Sequence, residues 1–294
     1  MPADSQPKLF LLRFDVDTPQ CLADGVPALI DLAGRHGVPM TFFVNMGRAV
    51  NRLDSLAGLV GGPRRPAAAV AEKLSPRAKL GTHGFLRTAL LNPRVGDGQA
   101  ATLARARDAG HEIGLHGGRN HATWQRHAPG WARERVRSEV DWGLAALERE
   151  GVQRPAAFAS PGWASPPGLA EVLAEKGFRI LADSHDPRRP ARLAASGNGP
   201  LCELNTNLAG EPGGVGFVEH CDAAGMADGA VADLVDARLA SHDSVMVYDH
   251  PVYAGGRGAG RLEFVIRHAQ AAGCRFVTGS ERAGNAAGTR PGRS

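Results

Sequence analysis

The chain has 294 residues, of which 43% are hydrophobic and 22% charged, so it holds enough apolar material for a sizeable core. Its formal net charge is only +4 and aromatic residues make up 5%, which leaves little for stacking on bases and argues against a nucleic-acid partner. No signal-peptide pattern opens the sequence and no segment reaches the roughly 20 apolar residues of a membrane span, so we expect a cytoplasmic protein.

Short apolar runs alternate with stretches of helical periodicity along nearly the whole chain. This alternation is typical of βα units and a mainly parallel sheet, and seven or eight strands are enough to close a barrel. We therefore expect an α/β protein whose residues 1–281 form one barrel domain, with two small domains as the alternative. The predicted strands are 9–14, 41–44, 112–115, 156–159, 179–182, 201–204, 244–248 and 275–277. The predicted helices are 25–36, 133–150, 169–176, 230–240 and 262–272.

Two segments depart from this alternation. Residues 46–109 are longer, less regular and rich in Gly, Pro, Ala and Arg, which we interpret as an insertion after the second strand. Its basic residues and apolar clusters suit an anionic, lipid-containing surface such as the inner face of the cytoplasmic membrane, although a solvated basic surface is an equal alternative. Residues 282–294 have no periodicity, and we expect a disordered tail there.

Polar residues collect where the predicted strands end. In parallel βα architectures the loops after the strands converge on one mouth, so these residues should meet at one place. They are Asp15-Val16-Asp17, His116, Ser160-Pro161-Gly162-Trp163, Asp183-Ser184 and Asp249-His250.

The residue types of this group favour a metal site. Asp15 and Asp17, two positions apart on an extended chain, point the same way and would repel each other without a cation or a shared proton. Carboxylate and imidazole together, with His116, His121 and His250 near strand ends, are ligands of zinc and similar divalent ions. No GxSxG elbow, phosphate loop or dinucleotide fingerprint is present, so hydrolysis by metal-activated water is the remaining chemistry.

Four motifs resemble, in order, those of the NodB-homology polysaccharide deacetylases. They are Phe14-Asp15-Val16-Asp17-Thr18, Val38-Pro39-Met40-Thr41-Phe42-Phe43, Gly110-His111-Glu112-Ile113-Gly114-Leu115-His116 and Tyr248-Asp249-His250. The resemblance implies a deformed (β/α) barrel with seven or eight units. It also implies that Asp15 is the general base, that Asp17 and two histidines bind zinc, cobalt or manganese, and that His250 is the acid.

Within that family the likeness is strongest to the deformylases of 4-deoxy-4-formamido-arabinose-phosphoundecaprenol, which act in lipid A modification. The separated Asp-x-Asp motif, Asn45-Met46-Gly47-Arg48 and the Pro-Gly-Trp loop carry this likeness. It implies that Pro161, Gly162 and Trp163 line a substrate pocket and that Asp183 helps to position active-site groups. The substrate implied is an N-acylated amino sugar linked to a polyprenyl phosphate.

One position departs from the family pattern. The second metal histidine normally lies four residues after the first, but Asn120 stands there and a histidine follows at His121. On a regular helix a spacing of five would turn the two side chains about 140° apart. We favour His121 as the ligand, because Gly117-Gly118 could permit an irregular loop.

Asn120 also leaves alternatives open. A barrel that binds a sugar or glycolipid but has lost catalysis would explain a missing ligand. A deacetylase of a soluble amino sugar would keep the chemistry and change the substrate. The residues do not distinguish a formyl from an acetyl group.

Overall fold

Seven parallel strands form a nearly closed barrel, which confirms the predicted fold class. The computed structural model describes residues 6–51, 91–193, 201–210 and 215–284. Most of the basic insertion and the end of the tail therefore lie outside the described residues. The strands of the described part are β1 (Leu9–Val16), β2 (Thr41–Val44), β3 (Glu112–His116), β4 (Ala157–Ala159), β5 (Ile180–His185), β6 (Arg192–Leu193), β7 (Cys202–Thr206), β8 (Ser244–Asp249) and β9 (Arg275–Phe276).

The sheet runs in the order β6-β7-β5-β4-β3-β2-β1-β8, with β9 paired to β1. All pairings are parallel except that of the short β6 with β7. The barrel closes where the chain after β7 meets β8 through the N–H groups of Leu208 and Tyr248. Asn207 completes this seam, since its side chain accepts from the N–H of Met246 and donates to the carbonyl of Ser244.

Five polar residues that we predicted to follow strands lie inside them, namely Asp15, His116, Asp183, Ser184 and Asp249. Asp15 pairs with Phe43 in the register of β1 and β2, and Asp249 pairs with Phe14. Asp183 lies within β5, at an irregularity in its pairing with β7. The strand predictions ended too early here, because ladder hydrogen bonds with neighbouring strands continue past the last apolar residue.

The described helices pack against the barrel, most of them on its outside. They are α1 (Val26–His36), α2 (Ala100–Asp108), α3 (His121–His127), α4 (Arg133–Arg149), α5 (Leu169–Glu175), α6 (Phe217–Ala223), α7 (Asp228–Ser241), α8 (Pro251–Ala254), α9 (Ala259–Ala271) and α10 (Gly279–Gly284). Helix α2 lies in the range expected to be irregular, where Leu103 and Ala106 are buried. Among the described helices, none is both long and apolar enough to cross a membrane.

The core has two parts. The side chains of β1 point alternately to the two faces of the sheet and contribute to both parts. Phe10, Leu12 and Phe14 belong to the large apolar layer under the helices. Leu11 belongs to a smaller cluster with Phe43 and residues of other strands, which fills the barrel interior. Since successive side chains of a strand point to opposite faces, Arg13 and Asp15 share the interior face with Leu11.

The first residues of the expected tail, 282–284, belong to α10, and the rest of that segment lies outside the described residues. A reciprocal cap starts this helix: Thr278 donates its hydroxyl to Glu281, and the N–H of Glu281 donates to the Thr278 hydroxyl oxygen. Glu112 of β3 accepts from the N–H of Ser280 and fixes the helix to the barrel.

Removing this cap should lower stability modestly. Thr278→Ala leaves the N–H of Glu281 without its acceptor, and we expect the free energy of unfolding to fall by about 1 kcal/mol. Urea denaturation would measure this loss, with Thr102→Ala at a half-buried position of α2 as the control. A loss below about 0.3 kcal/mol in Thr278→Ala would contradict the cap.

Candidate metal and active site

Asp17 lies at the centre of the group of polar residues at the carboxyl ends of the strands. Its Oδ1 is 3.3 Å from Nε2 of His116 and 3.3 Å from Nε2 of His121. Its Oδ2 is 3.2 Å from Nε2 of His250. Burial opposes ionisation of Asp17, but the nearby histidines outweigh it and hold the pKa of this carboxyl well below its usual value. The structure therefore brings together residues that are far apart in the sequence.

Three ligand atoms of this cluster are arranged as a divalent ion requires. One ligand atom each of Asp17, His116 and His121 lies within 4.8 Å of the others. Asp17 Oδ1 and both histidine Nε2 atoms are buried and have no hydrogen-bond partner among the described residues. Nδ1 of His116 lies 2.9 Å from the carbonyl oxygen of Ala159 and donates to it, which fixes the ring and leaves Nε2 for a metal. The donor set fits a zinc-type ion.

The loop between His116 and His121 is irregular, as the five-residue spacing demands. Gly117 has a φ of 73°, a left-handed conformation that glycine adopts without strain. Gly118 packs so closely on Glu139 that a Cβ would lie 2.4 Å from its carboxylate. These two positions turn the chain so that α3 starts at His121 with its ring beside that of His116, at 5.2 Å between centroids.

Asn120 has a different position and a different contact. It is the N-cap of α3, where its side-chain oxygen accepts from the N–H of Thr123 at 2.9 Å. Its amide nitrogen donates to the carbonyl of Val50. Asn120 thus holds the start of the helix, and the ring of His121 is the one that faces Asp17.

Asp15 lies on the floor of the site, held by Arg13. The guanidinium donates from Nε and Nη2 to the two carboxylate oxygens, each at 3.0 Å. It also donates to the carbonyl of Ala182 and the hydroxyl of Thr206, so it links β1 to β5 and β7. The Arg13 side chain is 0% exposed and that of Asp15 4%. Burial works against the charge of Arg13, yet Asp15 raises the pKa of the guanidinium overall.

Arg13→Met should destabilise the protein strongly. It leaves the Asp15 carboxylate buried without its counter-charge, and we expect a loss of about 3–5 kcal/mol in the free energy of unfolding. Chemical denaturation would measure this loss. The double variant Arg13→Met/Asp15→Asn should recover part of it, because the stranded charge is gone. Equal losses in the single and double variants would contradict the pairing.

His250 contacts a pair of aromatic side chains, Tyr248 and, beyond it, Trp163. Its Nε2 is 3.1 Å from the hydroxyl of Tyr248, and Trp163 packs edge-on against the Tyr248 ring at 4.8 Å. Burial and the charges of Asp15 and Asp17 raise the pKa of Tyr248 well above its usual value, so the phenol keeps its proton. The Arg13 guanidinium lies 5.3 Å from the Trp163 ring centroid and 5.4 Å from that of Tyr248.

Trp163 belongs to the predicted Pro-Gly-Trp loop. Pro161, Gly162 and Trp163 form a short 3₁₀ turn after β4, in which Gly162 and Trp163 have φ angles of 62° and 55°. A positive φ costs energy for a residue as large as Trp and is found mostly at functional sites. Asp183 holds this loop by accepting from the N–H of Ser160 at 2.5 Å and from the hydroxyl of Ser165.

Sequence reasoning missed Arg13 and the role of the Tyr248 side chain. A charged residue within the apolar run Leu9 to Phe14 was a visible signal, because buried arginine is rare unless it is paired. The same interior face carries Asp15 two positions later. Tyr248 and His250 lie two positions apart at the end of β8, a spacing that puts side chains on one face, so this contact also had a signal in the sequence.

Fold and site together define a class: a deformed parallel barrel with a carboxylate–histidine cluster at the carboxyl ends of its strands. The sequence pattern of the family described as "Polysaccharide deacetylase" matches residues 3–181. The chain belongs to the polysaccharide deacetylase family, as its motifs indicated. That family groups hydrolases that act on amide bonds of carbohydrates.

Individual relatives agree with this assignment. A protein of Shewanella sediminis named as a 4-deoxy-4-formamido-L-arabinose-phosphoundecaprenol deformylase is 32% identical over 178 residues, or 58% of this chain. The match spans 55% of that relative's length.

Solved structures share the fold. A Mycobacterium smegmatis protein assigned to the polysaccharide deacetylases has a TM-score of 0.61 at 20% identity, over 100% of this chain and 98% of that one. A family pseudoenzyme of Bacillus anthracis has a TM-score of 0.54 at 12% identity, over 95% of this chain and 66% of that one.

Proposed function

We propose that the protein is a metal-dependent amide hydrolase that removes a formyl or acetyl group from an N-acylated amino sugar. The convergence of His116, His121 and His250 on one carboxylate, Asp17, carries this proposal. Buried imidazole and carboxylate atoms without hydrogen-bond partners are costly unless a cation satisfies them. Zinc is the metal that suits this donor set best, with cobalt or manganese as alternatives.

Asp17, His116 and His121 are the proposed ligands of the ion. When bound, such an ion acidifies a water molecule and polarises the amide carbonyl. The remaining chemistry belongs to the side chains of the chain itself. Asp15 acts as the general base that accepts the proton of the attacking water, and the two hydrogen bonds from Arg13 hold its carboxylate in position.

His250 acts as the general acid for the departing amine. Its Nε2 is 3.2 Å from Oδ2 of Asp17, whereas His116 and His121 contact Oδ1, so the proposed acid and the proposed ligands use different oxygens of one carboxylate. Tyr248 and Trp163 lie beside His250, and Asp183 holds the loop that carries Trp163. Pro161, Gly162, Trp163 and Asp183 are therefore the proposed substrate-binding group.

We further propose that the amino sugar is linked to a lipid. The Shewanella relative is named for a formamido-arabinose carried on phosphoundecaprenol, which favours a formyl group and a polyprenyl phosphate here. Such a substrate lies at the cytoplasmic face of the membrane, where the basic insertion would make peripheral contact. Sedimentation with anionic vesicles at low salt tests this contact, and the absence of binding would remove its support.

A sugar-binding barrel without catalysis is the competing function. Its motivation was Asn120 at the expected ligand position, but Asn120 caps α3 and His121 faces Asp17. A deacetylase of a soluble amino sugar differs only in the substrate and remains an outcome of the assay.

One experiment tests the proposal as a whole. The metal content of the purified protein is measured, and formate and acetate are assayed after incubation with N-acylated amino sugars. We expect one divalent ion per chain and release of one acid. Protein that stays metal-free and inactive after addition of zinc, cobalt or manganese would contradict the proposal.

A further inference from the structure

We propose that Arg48, Arg94 and Arg119 form an anion-binding rim beside the metal-ligand cluster, and that this rim binds a phosphoryl group carried by the substrate. The inference rests on the proposed function, because it names which part of an amino-sugar substrate this edge of the site contacts. None of the three arginines belongs to the catalytic group described above.

The backbone places the rim directly beside His121. The N–H of Arg48 donates to the carbonyl of Arg119 at 2.9 Å, and the carbonyl of Arg48 accepts from the N–H of His121 at 2.8 Å. Arg94 pairs with Arg48 in an antiparallel bridge. Gly47 makes this approach possible, since a Cβ there would lie 2.3 Å from the carbonyl oxygens of residues 118 and 119.

The charges of the rim are only partly neutralised. Arg119 pairs with Glu139 at 3.2 Å, and Arg94 has Asp97 at 3.9 Å, a carboxylate that is 59% exposed. The exposed Arg48 donates to the carbonyl of Asn92, and within the described ranges it has no acidic partner. Among the described residues, three cations therefore face two carboxylates, which gives this part of the surface an excess of positive charge.

The aromatic ring of Trp142 organises two of these side chains. The guanidinium carbons of Arg94 and Arg119 lie 5.5 and 5.9 Å from its ring centroid. Side chains that are held over a ring lose less freedom when a ligand binds. Both side chains keep substantial exposure, 45% and 46%, and Arg119 uses Nη1 for Ser138 and Glu139, which leaves its other donors for a ligand.

Guanidinium groups in this arrangement fit phosphoryl oxygens. The planar fork of arginine matches phosphate geometry with two parallel hydrogen bonds, which a sugar hydroxyl cannot accept in the same way. An amino sugar that carries both an amide and a phosphoryl group is the substrate we propose to contact His121 and the rim together. The phosphoryl group has two sources, a phosphodiester to a lipid or a soluble sugar phosphate.

Three N-acyl amino sugars that differ only at the anomeric oxygen separate these possibilities: a methyl glycoside, a monophosphate and a phosphodiester to a short polyprenyl chain. For the wild type and each variant, kcat/KM is measured on all three sugars. The values for the monophosphate and for the phosphodiester are each divided by the value for the methyl glycoside, which gives two ratios per protein. In Arg48→Gln and in Arg94→Gln we expect these ratios to fall about tenfold, the effect of one lost charge-assisted hydrogen bond. Arg48→Lys should recover part of the loss.

The matched control is Arg135→Gln, which removes another exposed arginine held over a tryptophan, at 4.3 Å from the Trp131 ring. Its ratios should not change. A larger fall with the diester than with the monophosphate identifies the lipid-linked source, and the reverse identifies the soluble one. Unchanged ratios in Arg48→Gln and Arg94→Gln would overturn the rim.

If no sugar is turned over, the rim can still be tested by measuring how tightly the sugar monophosphate binds to the Asp15→Asn variant. Calorimetry with the sugar monophosphate should show affinity that falls about tenfold when Arg48→Gln is added. Absence of turnover together with this fall contradicts the proposed hydrolysis and supports the rim. If Asp15→Asn and Asp15→Asn/Arg48→Gln bind the monophosphate equally well, the rim is contradicted and the proposed hydrolysis is not affected.

Discussion

Asp15→Asn is expected to lower kcat by roughly 10²- to 10⁴-fold, the range for loss of a general base. Asparagine has nearly the shape of aspartate but cannot accept a proton at neutral pH. Substrate can still bind, but the attacking water has no base to take its proton. The ligand atoms of Asp17, His116 and His121 are unchanged, and the metal content should stay at the wild-type level. Steady-state assays together with metal analysis measure both effects.

Asp31→Asn is the matched control for this variant. Asp31 is 61% exposed and pairs with Arg105 on the outside of the barrel, so the same chemical change there should leave kcat unaltered. Since Arg13 loses its carboxylate partner, Asp15→Asn must also be checked for folding before its kcat is interpreted. Full activity in folded Asp15→Asn protein would remove Asp15 from the role of base.

The barrel and the main members of the site could be predicted because each depends on a local pattern. Apolar runs such as that of β1 mark strands, and the residues that end them share one edge of a parallel sheet. Asp17, His116, His121 and His250 were predicted on that basis, and the structure brings all four together. The positions of strand ends were less accurate, because hydrogen bonding between strands overrides side-chain polarity.

Contacts across the barrel could not be predicted. Arg13 is separated by 169 residues from Ala182 and by 193 from Thr206, and both contacts depend on the curvature of the sheet. Asn207 closes the barrel by bonding to β8 with its side chain. An asparagine after a strand is just as often a turn residue that bonds to its own backbone, so its presence alone does not predict this contact. Such long-range hydrogen bonds leave no periodic signal in the sequence.

The fold alone does not decide whether this chain is active. A pseudoenzyme of Bacillus anthracis has the same architecture, so a barrel of this shape exists with and without catalysis. The decision depends on local geometry at α3, where a shift of one residue in the start of the helix would exchange Asn120 and His121. Gly117 and Gly118 fix that start through a left-handed turn and a close contact with Glu139.

His121→Asn is therefore expected to reduce metal affinity and turnover together. The change removes one of three imidazole and carboxylate ligands, and the loss in metal affinity should exceed the roughly 10- to 100-fold typical of partners outside the ligand shell. Asn120→Ala should instead retain metal and kcat while it lowers the free energy of unfolding by about 1 kcal/mol, because it removes a helix cap. Metal titration, turnover and denaturation, measured on both variants, separate a ligand from a cap.

His127→Asn provides the control within the same helix, since His127 is exposed at the far end of α3. It alters the same residue type and should leave metal affinity unchanged. If Asn120→Ala lost the metal and His121→Asn kept it, the ligand would stand at the position of the family pattern. The loop from Gly117 to Asn120 would then have to adopt another conformation when the ion binds, because Asn120 in its present contacts points to Thr123 and Val50.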